Sequence, residues 1–201
     1  PFDLEAGGIA KIDTFLFVGM YSGGIYKRSI NTSAWSIISS PQMIAQAPPV
    51  YTSTYYLAIL GMIAQGSTLF TQNAGSGLFR SSDLGATWQQ VTSDAGGGFD
   101  RRGLARNADT LYLGGDGAVQ ISTNNGNFWN TYHANVFGAA RISSYAFIDS
   151  FVFAGHMNLG YGIRRSADGG HFWITKNTGL TTAGSKNINK LTKIGSTIFA
   201  G

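Results

Sequence analysis

A chain of 201 residues is long enough for one substantial domain with a sizeable core. It contains no cysteine, which excludes disulfides, thiolate chemistry and cysteine-held zinc. Only 12% of residues are charged and the 28 glycines follow no Gly-X-Y period, so the composition is that of a turn-rich all-β protein, not a collagen or a disordered chain. The formal charge of +4 and pI of about 9.4 arise from scarce acids and not from a basic run, so no nucleic-acid partner is expected.

Along the chain, Pro1-Phe2-Asp3-Leu4-Glu5 shows neither the basic nor the apolar region of a signal peptide, and the missing initiator Met reads as processing or as part of a longer polypeptide. A first repeat runs from about Gly8 to Ile38. A connection, Ser39–Thr54, follows with Pro41, Pro48 and Pro49; as the most distinctive loop it is a reasonable place for a specific contact. The most apolar stretch, Tyr55 to Ala64, is far short of the roughly 20 residues that span a bilayer. Further repeats occupy about 56–92, 99–133 and 138–177, and 186–201 supplies the first two strands of a fifth, all within one domain, 1–201.

Two markers keep step through these repeats. Tryptophans stand at 35, 88, 129 and 173, at intervals of 53, 41 and 44. Runs of large apolar residues, often ending in glycine, recur with a similar period: Phe15-Leu16-Phe17-Val18-Gly19, Thr110-Leu111-Tyr112-Leu113-Gly114, Phe151-Val152-Phe153-Ala154-Gly155 and Thr197-Ile198-Phe199-Ala200-Gly201. Each repeat parses as four strands; in the second they are placed within Tyr56–Gln65 and at Thr68–Gln72, Gly77–Ser81 and Thr87–Thr92. Stacking of such units buries aromatic residues, so all four tryptophans are expected in the core.

Between the last two strands lies an eight-residue pattern. Its full copies are Ser81-Ser82-Asp83-Leu84-Gly85-Ala86-Thr87-Trp88 and Ser166-Ala167-Asp168-Gly169-Gly170-His171-Phe172-Trp173. A third copy, Ser122 to Trp129, has Asn124 in place of Asp and keeps Gly126. A fourth, Ser29-Ile30-Asn31-Thr32-Ser33-Ala34-Trp35, loses both Asp and Gly. An Asp side chain accepts backbone N–H groups and closes a turn, and the Gly tolerates positive φ.

The pattern resembles the Asp-box, or BNR repeat, of sialidase-like β-propellers, a motif shared with xyloglucanase-like hydrolases, sortilin-type receptors, photosystem assembly factors and secreted bacterial repeat proteins. The resemblance implies a β-propeller of four-stranded antiparallel blades, about four and a half of them present. It makes Ser81, Asp83, Gly85, Trp88, Ser122, Asn124, Gly126, Trp129, Ser166, Asp168, Gly170 and Trp173 structural. The unfinished last repeat implies a longer polypeptide of about six to eight blades, or a pairing with another chain; a five-bladed ring is disfavoured because Pro1–Gly7 cannot supply two strands.

Catalytic chemistry is sparse. A sialidase needs an arginine triad, a Tyr–Glu pair and an acid/base Asp, yet the single glutamate is Glu5. Asp13, Asp109 and Asp149 recur at one place in their repeats, where the others carry Gly66 and Gly195, which reads as turn chemistry. Arg102, Arg106 and Arg141, on or near inner strands, are candidates for binding an anion, and Asp100 is the best remaining carboxylate. His133, His156 and His171 share no ligand spacing, so no metal or cofactor is expected. Tyr51, Tyr55, Tyr56 and Tyr161 are candidates for stacking on sugars, against the commoner reading of packed strand residues. The sequence thus points to a secreted or surface-exposed bacterial module that binds protein or glycan without catalysis. The alternative is a piece of an Asp-box glycoside hydrolase, xyloglucanase-like before sialidase-like; a photosystem-type assembly factor is a third reading.

Overall fold

The computed structural model describes residues 6–21, 24–38, 58–74, 77–92, 103–115, 117–132, 141–157 and 160–201. The described elements are strands, with one 3-10 turn at Gly184–Lys186, and no helix among them is long and apolar enough to cross a membrane. The chain divides into two compact units, Pro1–Asp100 and Arg101–Gly201.

The first unit holds two four-stranded antiparallel sheets. Sheet 1 is β1 (Ala6–Ile12), β2 (Phe15–Met20), β3 (Gly24–Ser29) and β4 (Ser36–Ile37). Sheet 2 is β5 (Ile59–Gln65), β6 (Thr68–Asn73), β7 (Gly77–Ser81) and β8 (Gln89–Thr92). In the second unit, sheet 3 is β9 (Leu104–Asn107), β10 (Thr110–Gly114), β11 (Val119–Ser122) and β12 (Asn130–Tyr132). Sheet 4 is β13 (Arg141–Ile148), β14 (Phe151–Met157), β15 (Ile163–Ser166) and β16 (Ile174–Thr175). Sheet 5 is the pair β17 (Leu191–Ile194) and β18 (Thr197–Ala200). Each strand pairs with its neighbours in chain order, so each complete sheet is a meander, the blade expected from the repeats.

The first two strands of every sheet are joined by a two-residue turn whose first residue has positive φ: Asp13 (49°), Gly66 (55°), Ala108 (48°), Asp149 (50°) and Gly195 (59°). Aspartate and glycine suit that conformation because one can bond locally and the other has no Cβ. The sequence alignment placed Asp109 in this series. The structure puts Ala108 there and Asp109 one position later, because Asn107 closes β9 against Thr110. Asp13, Asp109 and Asp149 are all exposed turn residues.

Within each unit, consecutive sheets pack face to face, and the packing has a direction. Alternate residues of a strand point to opposite faces, so within a unit one face of a sheet, the trailing face, meets the following sheet, and the leading face of that sheet receives it. In the first unit, Ala10, Ile12, Phe17 and Ile25 of sheet 1 form one core with Ile59, Met62, Leu69, Phe79 and Trp88 of sheet 2. In the second, Tyr112, Val119 and Ile121 of sheet 3 meet Ile142, Tyr145, Val152, Ala154 and Trp173 of sheet 4. Ala146 and Phe153 of sheet 4 then meet Ile188, Leu191 and Ile198 at sheet 5. The Ser143-Ser144 bulge fastens this last contact: the Leu191 N–H donates to Ser144 Oγ (2.8 Å) and Ser143 Oγ donates to the Ile188 carbonyl.

The glycine that ends three of the apolar runs is explained here. A Cβ at Gly19 would overlap Ile59. One at Gly114 would lie 2.7 Å from Ile142 Cβ, and one at Gly155 would lie 2.7 Å from Ile188 Cγ2. Each glycine is therefore the socket for an isoleucine of the following repeat.

Candidate functional site

The most regular polar chemistry lies in the turns before the last strand of sheets 2, 3 and 4. In sheet 2, Ser81 Oγ accepts the Gly85 N–H (2.8 Å) and donates to Asp83 Oδ1 (2.7 Å). Asp83 Oδ1 also accepts the Thr87 N–H (2.9 Å), and Oδ2 accepts the Thr87 hydroxyl. In sheet 4, Ser166 accepts from Gly170 and donates to Asp168 Oδ1, which receives the N–H groups of His171 (3.1 Å) and Phe172 (2.9 Å). In sheet 3, Asn124 Oδ1 takes the carboxylate's place, accepting from Ser122 Oγ (3.0 Å) and Phe128 N–H (2.9 Å).

The serine, expected only to be structural, is a relay. Its hydroxyl holds the glycine amide and orients the acid, and its fixed position in the copies of sheets 2, 3 and 4 was the available signal. The residue before the glycine was also missed: Leu84, Asn125 and Gly169 have φ of 58°, 57° and 75°, followed by Gly85, Gly126 and Gly170 at 87°, 74° and 103°. Two successive left-handed residues turn the chain, and asparagine or glycine adopts this more readily than leucine. Leu84 is held there by packing against the sheet 1–sheet 2 core. The last strand of sheet 2 starts at Gln89, one residue after the tryptophan, and not at Thr87 as expected, because the amide two positions on from the glycine is committed to the acid; sheets 3 and 4 begin theirs at the same place.

These acids are acceptors. The Thr87 hydroxyl, then the Thr87 amide and Ser81, hold Asp83 at about 2, below its ordinary 3.8. For Asp168, desolvation works against ionisation, but the Phe172 amide, Ser166 and His171 outweigh it and the net shift is downward. A carboxylate so engaged stays ionised near neutrality and is a poor proton donor.

The fourth copy is displaced. Counting from the hairpin turn, Leu69, Leu111 and Val152 pair with Ser81, Ser122 and Ser166, whereas Leu16 pairs with Arg28. Arg28, not Ser29, therefore holds the serine position, and Trp35 follows it at the usual distance of seven residues. Ser29 Oγ instead accepts the Asn31 N–H in a local turn. The Arg28 guanidinium lies 5.0 Å from the centroid of the Trp35 ring.

The tryptophans consequently differ. Trp88 and Trp173 are 6% and 1% exposed, and Trp173 Nε1 donates to the Gly170 carbonyl (2.8 Å). Trp129 is half-buried and makes the same bond to Gly126 (3.2 Å). Trp35 is 44% exposed, which corrects the expectation of four core tryptophans. Trp88 and Trp173 are buried against the preceding sheet, and no sheet precedes sheet 1 among the described residues.

Of the candidate anion-binding residues, Arg106 and Arg141 lie among the described residues. Arg102 and Asp100 lie outside the described residues, as do Tyr51, Tyr55, Tyr56, His133 and the 39–54 connection. Arg141 opens β13, while Arg106 is near the end of β9. Gly103 abuts Ile142, and Tyr112, opposite Ala105, lies 5.6 Å from Tyr145 in ring centroids, so β9 and β13 run the same way. About four residues of strand, roughly 13 Å at ~3.3 Å per residue, then separate the two arginines. His156 is fully buried; desolvation and then the charge of Arg164 push it down to about 3, so it is neutral near pH 7. Tyr161 stands 5.6 Å from Arg164 and 6.3 Å from the His156 ring. His171 is exposed, 4.4 Å from the Tyr132 ring. Among the described residues no three His, Asp or Glu side chains gather as metal ligands.

No protein-family model matches the chain, and no curated protein matches it. Solved structures do. The extracellular domain of a hybrid two-component system from B. thetaiotaomicron matches over 100% of this chain and 26% of its own, with 14% identity and a TM-score of 0.72. An ancestral GH74 enzyme matches over 88% of this chain and 25% of its own, at 18% identity and a TM-score of 0.61. The GH74 xyloglucanase from Xanthomonas campestris matches over 81% of this chain and 28% of its own, at 16% identity and a TM-score of 0.58. The fold is propeller-like, a series of repeated antiparallel blades. The chain spans about a quarter of the length of each of these proteins.

Proposed function

We propose that this chain is a non-catalytic Asp-box (BNR) propeller module, extracellular or on a bacterial cell surface, that binds protein or glycan through its loops and exposed faces. The observation that carries the reading is the state of the turn acids. Asp83 and Asp168, with Asn124 between them in the chain, are spent on closing turns. Paired acids of the kind a glycosidase needs, roughly 5–10 Å apart and free to exchange protons, are not made by the repeat pattern itself. The likeness to the extracellular domain of a two-component system supports the location.

The GH74 likeness favours one second reading, a part of a glycoside hydrolase acting on xyloglucan. Titration with xyloglucan oligosaccharides, followed by tryptophan fluorescence and by release of new reducing ends, separates the two. Saturable binding without reducing ends is the expected result. Sustained release of reducing ends that survives purification would replace the first reading with the second.

A further inference from the structure

The turn before β12 holds the only Asn-Gly pair of the sequence, Asn125-Gly126. Conformation accounts for the pair. Both residues take positive φ, 57° and 74°, and asparagine and glycine do so with least strain. Sheets 2 and 4 meet the same demand with Leu84 and Gly169. Asparagine before glycine is also the arrangement in which the following backbone nitrogen most easily attacks the side-chain amide, because no Cβ crowds the approach. The fold thus places a reactive pair where it needs only a turn, and Asn125 itself is exposed.

The closed turn holds that reaction off. The Asn127 N–H donates to the Asn124 carbonyl (3.2 Å), and positive φ at both central residues makes the turn type I′. In such a turn ψ of the first central residue is about +30°, which carries the Gly126 nitrogen away from the Asn125 side chain. Closing a five-membered ring between that nitrogen and Cγ needs a ψ of about −120°, the value of a type II′ turn. The peptide between Asn125 and Gly126 must therefore flip by about 150°. The Gly126 N–H opposes the flip: it is buried and donates to Ser122 Oγ (3.0 Å). Held there, it is also kept from the water that must take its proton before the nitrogen can attack. Asn124, one residue earlier, is the poorer candidate. It is followed by a residue with a side chain, and its Oδ1 is fixed by Ser122 Oγ (3.0 Å) and the Phe128 N–H (2.9 Å).

We propose that Asn125 is a deamidation site that the Ser122 hydroxyl keeps closed, so that it is modified only when the turn of sheet 3 opens. In the open turn the Gly126 nitrogen, its proton passed to water, bonds to Asn125 Cγ. The side-chain nitrogen takes a proton and leaves as ammonia. Water then adds to either carbonyl of the cyclic imide, giving aspartate or an isoaspartyl link at position 125. Each event takes one unit from the formal charge of +4. The isoaspartyl link also adds a carbon to the backbone, which moves Gly126 off Ser122. The site goes beyond the binding role above and does not depend on it.

Incubation of the full chain at mildly alkaline pH, folded or in denaturing guanidinium, followed by mass spectrometry of the tryptic peptide 107–141, tests this. Fragment ions assign the mass gain to Asn124 or Asn125. The folded chain is expected to react at Asn125 at least ~10-fold more slowly than the unfolded chain, because only the opened turn reacts. Ser122→Ala leaves the Gly126 amide without its acceptor and should speed the folded-state reaction roughly 5-fold. Ser122→Thr keeps a hydroxyl there and should restore the slow rate. Near-ultraviolet circular dichroism shows whether the variants stay folded. If Ser122→Ala unfolds, deuterium exchange of the Gly126 amide in the parent takes its place, and folding should slow exchange and deamidation by a similar factor. Folded and unfolded chains that react equally fast, modification that falls on Asn124 before Asn125, a folded Ser122→Ala that reacts at the parent's rate, or exchange and deamidation slowed by clearly different factors overturns the proposal.

Discussion

The turn between β7 and β8 and the turn between β3 and β4 occupy the same place in sheets 2 and 1, yet they solve the reversal differently. In sheet 2 a serine and an aspartate gather the amides of Gly85 and Thr87, and Trp88 is buried. In sheet 1, Arg28 and Ile30 stand in the serine and aspartate positions, and the indole of Trp35 lies under a guanidinium at the surface. The comparison separates two jobs that the motif of sheet 2 performs together. The strands pair in both sheets, so the reversal itself tolerates loss of the serine–acid pair. Trp88 and Trp173 are buried where a preceding sheet of the same unit covers them.

The largest effect that would break this comparison is on the tryptophans. Trp173→Ala empties a closed site and should cost about 3–5 kcal/mol. Trp35→Ala should cost under about 1 kcal/mol, as surface substitutions commonly do. Chemical denaturation of the two variants checks this; equal losses would mean that Trp35 is buried in solution.

A smaller effect concerns the relay. Ser166→Ala leaves the Gly170 amide without its acceptor and removes a donor from Asp168, for an expected loss of about 1–3 kcal/mol. Arg28→Ala, at the matching position of sheet 1, should cost less, about 0.5–1 kcal/mol for an exposed cation–π contact. Thermal unfolding of both variants gives the order.

The smallest effect is electrostatic. Asp83 has its folded value lowered from 3.8 to about 2, so the stability it adds is fully present above pH 3.8 and is lost as pH falls through about 2. The group is exposed, so the energy is modest, and the amide of Thr87 reports it better than a melting curve. In an NMR titration the Thr87 amide shift should move with a midpoint of about 2, while the Phe128 amide, held by neutral Asn124, should stay still. Replacing Asn124 with Asp should give Phe128 a titration of its own.

Much of this architecture could be read before the structure was known, because periodic signals are local. The strand–turn–strand units, the turn residues before each second strand, the glycine of the motif and the paired strands of the fifth repeat each depend on a few consecutive residues. The misplacements came where one residue of register mattered. Asp109 aligns with Asp13 and Asp149 by eye, but pairing of Asn107 with Thr110 puts Ala108 in the strained position. Ser29 matches the motif by identity, but pairing of Leu16 with Arg28 shifts it out of place. The exposure of Trp35 was not local at all, since it is set by what lies beyond its own sheet. The arginines looked alike because they fall on comparable strands, but position along the strand separates Arg106 from Arg141.

The glycine sockets have a consequence for how such a chain can be rearranged. Hydrogen bonding closes each sheet within one repeat, but the fit of Gly19 to Ile59, Gly114 to Ile142 and Gly155 to Ile188 is written across two. A transplanted repeat therefore arrives with half of each of its junctions already specified by its hosts. A workable cut in a chimaera falls within a repeat, between the first strand and the glycine of the second. Each isoleucine then travels with the repeat that made its socket.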